Sequence, residues 1–360
     1  MPELPEVETT RRGLAPHLEG RRVLDVTLRR QDLRWPIPRE IETLLPQQTI
    51  TAIRRRAKYL LMDTDAGTAI WHLGMSGSMR VLPADTPVTT HDHVDLLIGD
   101  VLIGDVLIGD AVDGVSLGHA PTPALPRTRG RGQNTQTRGS GQNTGTRGRG
   151  QGMGASGIPL SIGAPGGHHS TSAGTSEQSA TARVLRFNDP RRFGSLLWQA
   201  PGETHALLRD LGPEPLLDDD GVTNDGARFS GDYLYNRSRG RSAPVKAFLM
   251  DQKVVVGVGN IYAAEALFAA GVSPLREAGK VSRARYGAIA EAVRTILSYA
   301  ITRGGTTLRD FLSPDGAPGY FEQELSAYGR GGEPCPRCGR PMKQAMLAQR
   351  ATVWCGHCQT

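Results

Sequence analysis

The sequence predicts an α+β protein with a strand-rich N-terminal half, a helical region after it and a small cysteine-containing module at the end. Polar and apolar residues alternate in TAIRRRAKYLLMDT and in TAIWHLGMSG, as they do in half-buried strands. The stretch YGAIAEAVRTILSYAI instead repeats its apolar residues at helical spacing. We therefore expect domains at residues 1–200, 204–325 and 330–360, with an insert at about 99–182 that interrupts the first of them.

The chain begins MPELPEVE, in which proline is followed at once by glutamates. Proline and acidic residues suit the first turn of a helix, and a helix start explains the stretch by itself. A chemical interpretation stays open beside it. If Met1 is removed, Pro2 carries a secondary amine with a pKa of about 8, so an appreciable fraction is unprotonated near neutral pH. Such an amine can attack an electrophilic carbon, and Glu3 or Glu6 could supply acid or base.

The insert separates two predicted antiparallel strands, HDHVDLLIGD and the start of RVLRFNDPRRFGSLLW. It begins with a repeat, LLIGDVLIGDVLIGD, and continues into an Arg/Gly-rich tract with few apolar groups, which we expect to be disordered. The tract could bind nucleic-acid phosphates through its arginines. We favour the alternative that it is an expanded repeat at a tolerant hairpin tip.

Charge and hydropathy limit the class of protein. The formal net charge of +6 and the pI of about 9.3 suggest a nucleic-acid partner. The arginines of the insert carry that whole excess: Arg127, Arg129, Arg131, Arg138, Arg147 and Arg149. The rest of the chain, outside residues 114–176, is formally neutral, so DNA binding has to depend on where charges lie in the folded parts. No apolar run of membrane-spanning length occurs, and we expect a soluble, intracellular protein.

The cysteines of the chain form two Cys-x-x-Cys pairs, Cys335 with Cys338 and Cys355 with Cys358. Thiolates at this spacing are typical of one tetrahedral, structural zinc ion. A site with four cysteine ligands has no open coordination position, which argues against catalytic zinc. We expect the zinc to order a hairpin that carries Arg350.

The stretch VVVGVGNIYAAEALF predicts an apolar strand, a Gly-x-Gly turn and a helix that begins at Asn260. Free amides at such a helix start favour an anion, so a phosphate site is a hypothesis here. The dinucleotide fingerprint is not matched, because its third glycine is missing.

The loops HLGMSG and NDPRRFG each present a large side chain between glycines, Met75 in the first and Arg191 with Phe193 in the second. Apolar wedges with an arginine are what proteins insert into a gap in stacked bases. Taken singly, Met75 and Phe193 are more often core residues, and that alternative stays open.

Together these stretches resemble the formamidopyrimidine-DNA glycosylases, bacterial enzymes of base excision that are also lyases at abasic sites. The resemblance covers residues 1–98 and 183–360 and includes MPELPEVET, AKYLL, HLGMSG, HDHVDLL, NDPRRFG, VVGVGNIYAAEALF, RGGTTLRDF and the cysteine module. It implies an N-terminal β-sandwich with a flanking helix, a helix-two-turns-helix domain and a terminal zinc ribbon. It implies damaged double-stranded DNA as the partner and no organic cofactor.

The resemblance also implies residue roles. Pro2 would be the nucleophile at C1′ of the damaged nucleotide and Glu3 the acid that assists opening of the sugar ring. Lys58 would serve β-elimination, and Arg350 would serve δ-elimination and phosphate binding. The implied DNA contacts are His91, Arg191, Arg241, Asn260, Met75 and Phe193, and the implied lesion pocket contains Glu265, Thr306 and Thr307.

Two alternatives remain. The related endonuclease VIII, which acts on oxidised pyrimidines, shares the implied fold and proline chemistry. A noncatalytic DNA-binding module would keep the helical region and the zinc, but Pro2, Glu3 and Lys58 argue against it. We expect a monomer in the bacterial cytoplasm, bound to DNA in the nucleoid.

Overall fold

The computed structural model describes residues 2–100, 182–216, 226–305 and 324–360. The predicted disordered insert at about 99–182 lies almost wholly outside these residues, as do Thr306 and Thr307. The described residues belong to one compact unit. Among them, no helix is both long enough and apolar enough to cross a membrane.

The elements follow the predicted order, with strands first, helices next and a hairpin last. The helices are α1 (Leu4–Leu18), α2 (Glu40–Thr43), α3 (Ala206–Arg209), α4 (Gly231–Ser238), α5 (Val245–Leu249), α6 (Asn260–Ala269) and α7 (Arg283–Thr302), with a 3₁₀ turn at Ala278–Lys280. The strands are β1 (Arg22–Leu28), β2 (Ala52–Arg56), β3 (Tyr59–Thr64), β4 (Gly67–His72), β5 (Ser78–Pro83), β6 (Asp92–Gly99), β7 (Arg183–Asn188), β8 (Ser195–Gln199), β9 (Lys343–Leu347) and β10 (Arg350–Trp354).

The first eight strands form two four-stranded antiparallel sheets, in the orders β1-β6-β7-β5 and β2-β3-β4-β8. Apolar side chains of the two sheets form one core, in which the rings of Trp71 and Phe187 lie 5.6 Å apart. The predicted pairing of β6 with β7 is present, with Ile98 opposite Arg183. The strands flanking the insert are therefore neighbours in register.

The helical region has a second core, built from α4, α5, α6 and α7. Helix α1 belongs to both cores. Leu4 at its start packs in the helical core, whereas Val7, Leu14 and Leu18 pack against the sheets. The chain start is therefore fixed between the sandwich and the helices.

One sequence prediction is wrong. The valines at 254–256 are buried but form turns rather than a strand. The amides of Val254 and Val255 donate to the carbonyl of Asp251 at 2.8 and 3.1 Å. These local hydrogen bonds pair the backbone amides of Val254 and Val255 without a partner strand. The apolar run therefore reflects burial in the helical core rather than a strand. The α+β class is confirmed.

Candidate functional site

The start of α1 lies against the start of α6. Glu3 is the N-cap of α1, and its backbone amide donates to the carboxylate of Glu6 at 2.7 Å. The Glu3 carboxylate accepts hydrogen bonds from the backbone amides of Gly259, Ile261 and Tyr262 at 2.8, 3.2 and 3.5 Å. Pro2 is buried beside it. The first residues of the chain are thus held by a helix more than 250 positions away.

These contacts correct the predicted phosphate site in VGVGN. The amides of Gly259, Ile261 and Tyr262 at the start of α6 already donate to the carboxyl group of Glu3, which takes the place of an external anion there. The N-cap of α6 is Gly259, and Asn260 is its first residue.

Both glycines of the Gly-x-Gly turn are needed for this docking. Gly257 has a φ of +79°, and a Cβ there would overlap the side chain of Leu4. A Cβ at Gly259 would overlap the carboxyl group of Glu3. The turn therefore makes room for the chain start.

Glu6 supports this arrangement. Besides receiving the Glu3 amide, its carboxylate accepts from the Tyr262 hydroxyl at 2.7 Å. Gly305, with a φ of +80°, lies against it, since a Cβ there would meet Oε1 of Glu6 at 3.0 Å. Glu6 links α1, α6 and the end of α7.

Lys58 is placed by the tight turn between β2 and β3, in which Ala57 has a φ of +55°. Its side chain is buried, with 3% of the residue exposed. Burial lowers the pKa of Lys58, and the nearby charge of Glu3 opposes that shift. Burial raises the pKa of Glu3, while the charge of Lys58 and the α6 amides lower it. Burial thus opposes the charged form of both groups, and their mutual attraction works against that effect.

The turn that carries Lys58 is clamped by Glu214, a residue that the sequence did not identify. Its buried carboxylate accepts from Arg55 at 2.7 Å, from Arg56 at 3.0 Å and from the amide of Ala57 at 2.6 Å. Arg55 also pairs with Glu8 of α1 at 3.1 Å. A buried carboxylate between arginines needs all of these partners, so the turn has little freedom.

A second missed residue is Lys246 on α5. It is 1% exposed, and its Nζ donates to the carbonyl of Ala351 and to Oγ1 of Thr352 at 3.2 and 2.9 Å. Burial lowers its pKa to about 8, and the charge of Arg350 also lowers it. Lys246 ties β10 to the helical core. The sequence signal was weak, because a single lysine in APVKAF resembles any surface lysine.

Arg350 begins β10 directly after a tight turn in which Ala348 and Gln349 both have positive φ. It lines a cleft of about 200 Å³ together with Lys246, Met250 and Asp251. Its charge acts on the pKa of both Lys58 and Lys246. The electrostatic effects of Glu3 and Arg350 on Lys58 therefore indicate that these three charged groups lie near one another.

The four cysteine sulfurs lie within 4.8 Å of one another. The Sγ atoms of Cys335 and Cys358 are 4.0 Å apart, and those of Cys338 and Cys355 are 3.6 Å apart. Tetrahedral zinc with Zn–S bonds of about 2.3 Å separates its sulfurs by about 3.8 Å, so the thiols fit the ion. Phe268 of α6 packs against this module.

Met75, Arg191 and Phe193 lie together on the surface rather than in the core. Met75 is 36% exposed and Phe193 is 48% exposed. Nη2 of Arg191 lies 3.3 Å from the sulfur of Met75, and its guanidinium lies 5.7 Å from the centroid of the Phe193 ring. They border a cleft of about 600 Å³ that Arg34 and His72 also line.

The remaining predicted DNA contacts are more scattered. His91 is exposed just before β6. Arg241 lies 3.9 Å from Asp251 and above the ring of Phe248. Asn260 donates from Nδ2 to the carbonyl of Ala351 at 3.3 Å, and within the described chain its buried Oδ1 has no hydrogen-bond partner. DNA contact by these residues stays a prediction.

Glu265 has a structural role. Its carboxylate accepts from the backbone amides of Ser326, Ala327 and Tyr328 at 2.8–2.9 Å, which anchors the segment leading into the cysteine module. Burial raises the pKa of Glu265. Its place in a lesion pocket stays a prediction, and Thr306 and Thr307 lie outside the described residues.

Comparison with known proteins places family models on each part of the chain. The formamidopyrimidine-DNA glycosylase N-terminal domain matches residues 1–104, and the H2TH domain of the same family matches residues 211–312. The zinc finger found in FPG and IleRS matches residues 332–360. With the sulfur geometry, this match indicates one structural zinc ion.

Whole-chain relatives agree. Curated formamidopyrimidine-DNA glycosylases from Stenotrophomonas maltophilia (strain K279a) and Xanthomonas oryzae pv. oryzae (strain PXO99A) are 56% and 54% identical, over 100% of both chains in each case. The crystal structure of the MutM (FPG) protein from Thermus thermophilus is 30% identical, with a TM-score of 0.67 over 99% of this chain and 98% of that one. A Lactococcus lactis FPG mutant, solved in complex with Fapy-dG-containing DNA, has the same fold, with a TM-score of 0.69, 23% identity and 99% coverage of each chain. From its sequence and its fold, the chain belongs to the formamidopyrimidine-DNA glycosylase family.

Proposed function

We propose that this protein excises oxidised purines, such as 8-oxoguanine and formamidopyrimidines, from duplex DNA and then cleaves the strand at the abasic site. The observation that carries the proposal is that Pro2 and Glu3 are buried where α1 meets α6, and that the buried Lys58 of the β2–β3 turn interacts electrostatically with Glu3. The curated relatives are named for glycosylase activity on formamidopyrimidine DNA, which supports the substrate class.

The chemistry begins at Pro2, once it is the first residue. Its amine forms a bond to C1′ of the damaged nucleotide, and the base leaves with the electron pair of the glycosidic bond and a proton. The nitrogen lone pair then forms an iminium as the C1′–O4′ bond breaks. Glu3, whose raised pKa favours the protonated form, gives O4′ its proton.

Strand cleavage follows from the cationic iminium, which makes the C2′ proton acidic. A base removes that proton, and the bond from C3′ to its phosphate breaks. Lys58 suits this step, since its lowered pKa increases the neutral fraction of the amine. Arg350, at the tip of the zinc-ordered hairpin, would hold the phosphate that leaves in the second elimination.

Access to C1′ requires that the damaged nucleotide leave the base stack. Met75, Arg191 and Phe193, which contact one another, would together fill the space left behind. Such filling offsets part of the unstacking cost. We expect the protein to act on duplex DNA as a monomer.

Borohydride trapping tests the proposal, because it reduces the iminium to a stable covalent adduct. Duplexes with 8-oxoguanine should give a trapped adduct with the processed protein and none with a variant that keeps a tag ahead of Pro2. Glu203→Gln, at an exposed glutamate away from the site, is the control and should trap normally. Trapping on oxidised pyrimidines alone would favour the endonuclease VIII alternative. Full trapping by the tagged variant would overturn the role of Pro2.

A further inference from the structure

Two loops carry the proposed wedge, and both rest on one buried carboxylate. The Met75 loop comprises residues 73–77, between β4 and β5, and the Arg191 loop comprises residues 189–194, between β7 and β8. They are separated by more than 100 positions in the chain. Asp189, at the start of the Arg191 loop, is 0% exposed.

The Asp189 carboxylate accepts hydrogen bonds from one residue of each loop. Oδ1 accepts from the hydroxyl of Ser76 at 2.7 Å, and Oδ2 accepts from the amide of Gly194 at 2.7 Å. Asp189 thus closes the Arg191 loop on itself and joins it to the Met75 loop.

Ser76 completes the link from the other side. Its buried hydroxyl also accepts from the backbone amide of Arg191 at 3.2 Å. One hydroxyl therefore connects the residue after Met75 with the backbone of Arg191 and with Asp189. Because the Ser76 hydroxyl and the Asp189 carboxylate are both buried, losing the bond between them costs more than it would at the surface.

The loops also touch through their backbones. Gly74 has a φ of +65°, and a Cβ there would overlap the amide nitrogen of Gly194 and the carbonyl carbon of Phe193. A Cβ at Gly194 would meet Oδ2 of Asp189 at 3.0 Å. The backbones below the three exposed wedge side chains are thus packed so closely that one loop has no room to shift past the other.

We propose that Asp189 and Ser76 are positioning residues that lock the two loops into one body, so that Met75, Arg191 and Phe193 enter the duplex as a single preformed wedge. This inference rests on the proposed function. It adds a physical requirement. If the two loops became ordered only on DNA binding, their loss of conformational entropy would reduce the energy available to offset unstacking. Loops that are already ordered in the free protein avoid that cost.

The test compares Ser76→Ala with Ser78→Ala, the same substitution two residues later, where the side chain lies outside the network. Ser76→Ala should slow single-turnover excision of 8-oxoguanine from duplex by about five- to tenfold, as expected for one lost buried hydrogen bond. Ser78→Ala should keep the wild-type rate. Asp189→Asn, which keeps the shape and one acceptor, should fall between wild type and Asp189→Ala.

A second readout separates positioning from general damage to the fold. Borohydride trapping on a single-stranded abasic oligonucleotide needs the Pro2 chemistry but no wedge, so Ser76→Ala should trap at the wild-type rate there. On duplex, 2-aminopurine beside the lesion should report slower unstacking with Ser76→Ala. Adding Ser76→Ala to Met75→Ala should cost less than the product of the two single effects.

The outcomes are distinct. Equal losses on single-stranded and duplex substrates, or identical rates for Ser76→Ala and Ser78→Ala, would overturn the positioning role. If wild-type protein traps no abasic DNA at all, it is the proposed function that fails.

Discussion

At the scale of single residues, Glu3 connects structure and chemistry most directly. The carboxylate that we propose as the acid also receives the amides of Gly259 and Ile261, so one side chain orders the chain start and serves the reaction. The sequence could indicate Glu3 as a candidate acid. It could not indicate the partners, because the contact joins residues 256 positions apart.

Glu3→Gln should remove the proton donor while keeping the shape of the side chain and one of its two acceptor oxygens. We expect base excision to fall by at least about a hundredfold, the typical worth of a general acid. Binding to duplex should change little. Single-turnover kinetics and a binding titration measure the two effects, and loss of both in parallel would indicate structural damage instead.

His72 should make stability sensitive to acid. Burial, with the positive charges of Lys58 and Arg34, lowers its pKa from 6.5 to about 4. His72 of the unfolded chain therefore binds a proton below about pH 6.5, whereas His72 of the folded chain does so only below about pH 4. Between these two values the unfolded state binds more protons, so the free energy of unfolding decreases as the pH falls. The loss should reach about 3 kcal/mol at most.

The matched variant is His72→Asn, whose amide oxygen can still accept from the amide of Gly74, as Nδ1 of His72 does at 2.9 Å. Urea unfolding at pH 7 and at pH 4 should show a smaller stability difference for His72→Asn than for wild type. An unchanged difference would assign the acid sensitivity to other groups.

At the scale of elements, the sequence predicted several helices and strands and the pairing of β6 with β7, but not every turn. Periodicity indicated α7 and part of each sheet, including β2, β3, β4, β6 and β7, because burial of these elements leaves an apolar pattern in the sequence. The valines at 254–256 were wrongly predicted to form a strand, because a fully buried turn has the same apolar sequence as a buried strand. Glu214 was missed for a related reason, since its ion pairs join parts of the chain that are distant in sequence.

Glu214→Gln should destabilise the protein by about 3 kcal/mol, because it leaves Arg55 and Arg56 without their shared buried carboxylate. It should also slow trapping, since Ala57 and Lys58 lose their clamp. Urea unfolding and trapping kinetics measure both effects, with Glu203→Gln as the exposed control. Destabilisation with trapping unchanged would show that the turn keeps Lys58 in place without the clamp.

The cysteine module should be needed for DNA binding and not for the proline chemistry. Chelation, or Cys355→Ser, should weaken duplex affinity by releasing the β9–β10 hairpin and Arg350 with it. Metal analysis of the untreated protein should find about one zinc per chain. Metal-free protein that binds duplex as tightly as the zinc form would contradict this role.

At the scale of the whole molecule, the long insert raises the question of whether the fold can accommodate it between β6 and β7. The strands that flank it, β6 and β7, are paired up to Ile98 and Arg183, so its two ends emerge side by side. Extending a loop between fixed ends costs only about 0.6 kcal/mol for each doubling of its length. The fold predicted for the rest of the chain does not depend on the insert.

Deleting residues 101–180 should therefore leave base excision intact. It should remove a salt-sensitive, sequence-independent part of DNA affinity, because we expect the deleted arginines to neutralise phosphates without reading bases. Excision rates and binding at two salt concentrations measure this. A folded deletion variant without excision would place the insert in the site and would contradict the independence of Arg191 and Phe193 from it.

The shared position of α1 in two hydrophobic cores has a consequence for the protein during its synthesis. The first residues to leave the ribosome wait for partners that are made near residue 260, after the sandwich and the insert. A nascent chain that has finished its sandwich still lacks the helix that seats Glu3. An interrupted translation product would therefore carry the proposed nucleophile, Pro2, without the helix that seats Glu3, and we expect such a fragment to be inactive.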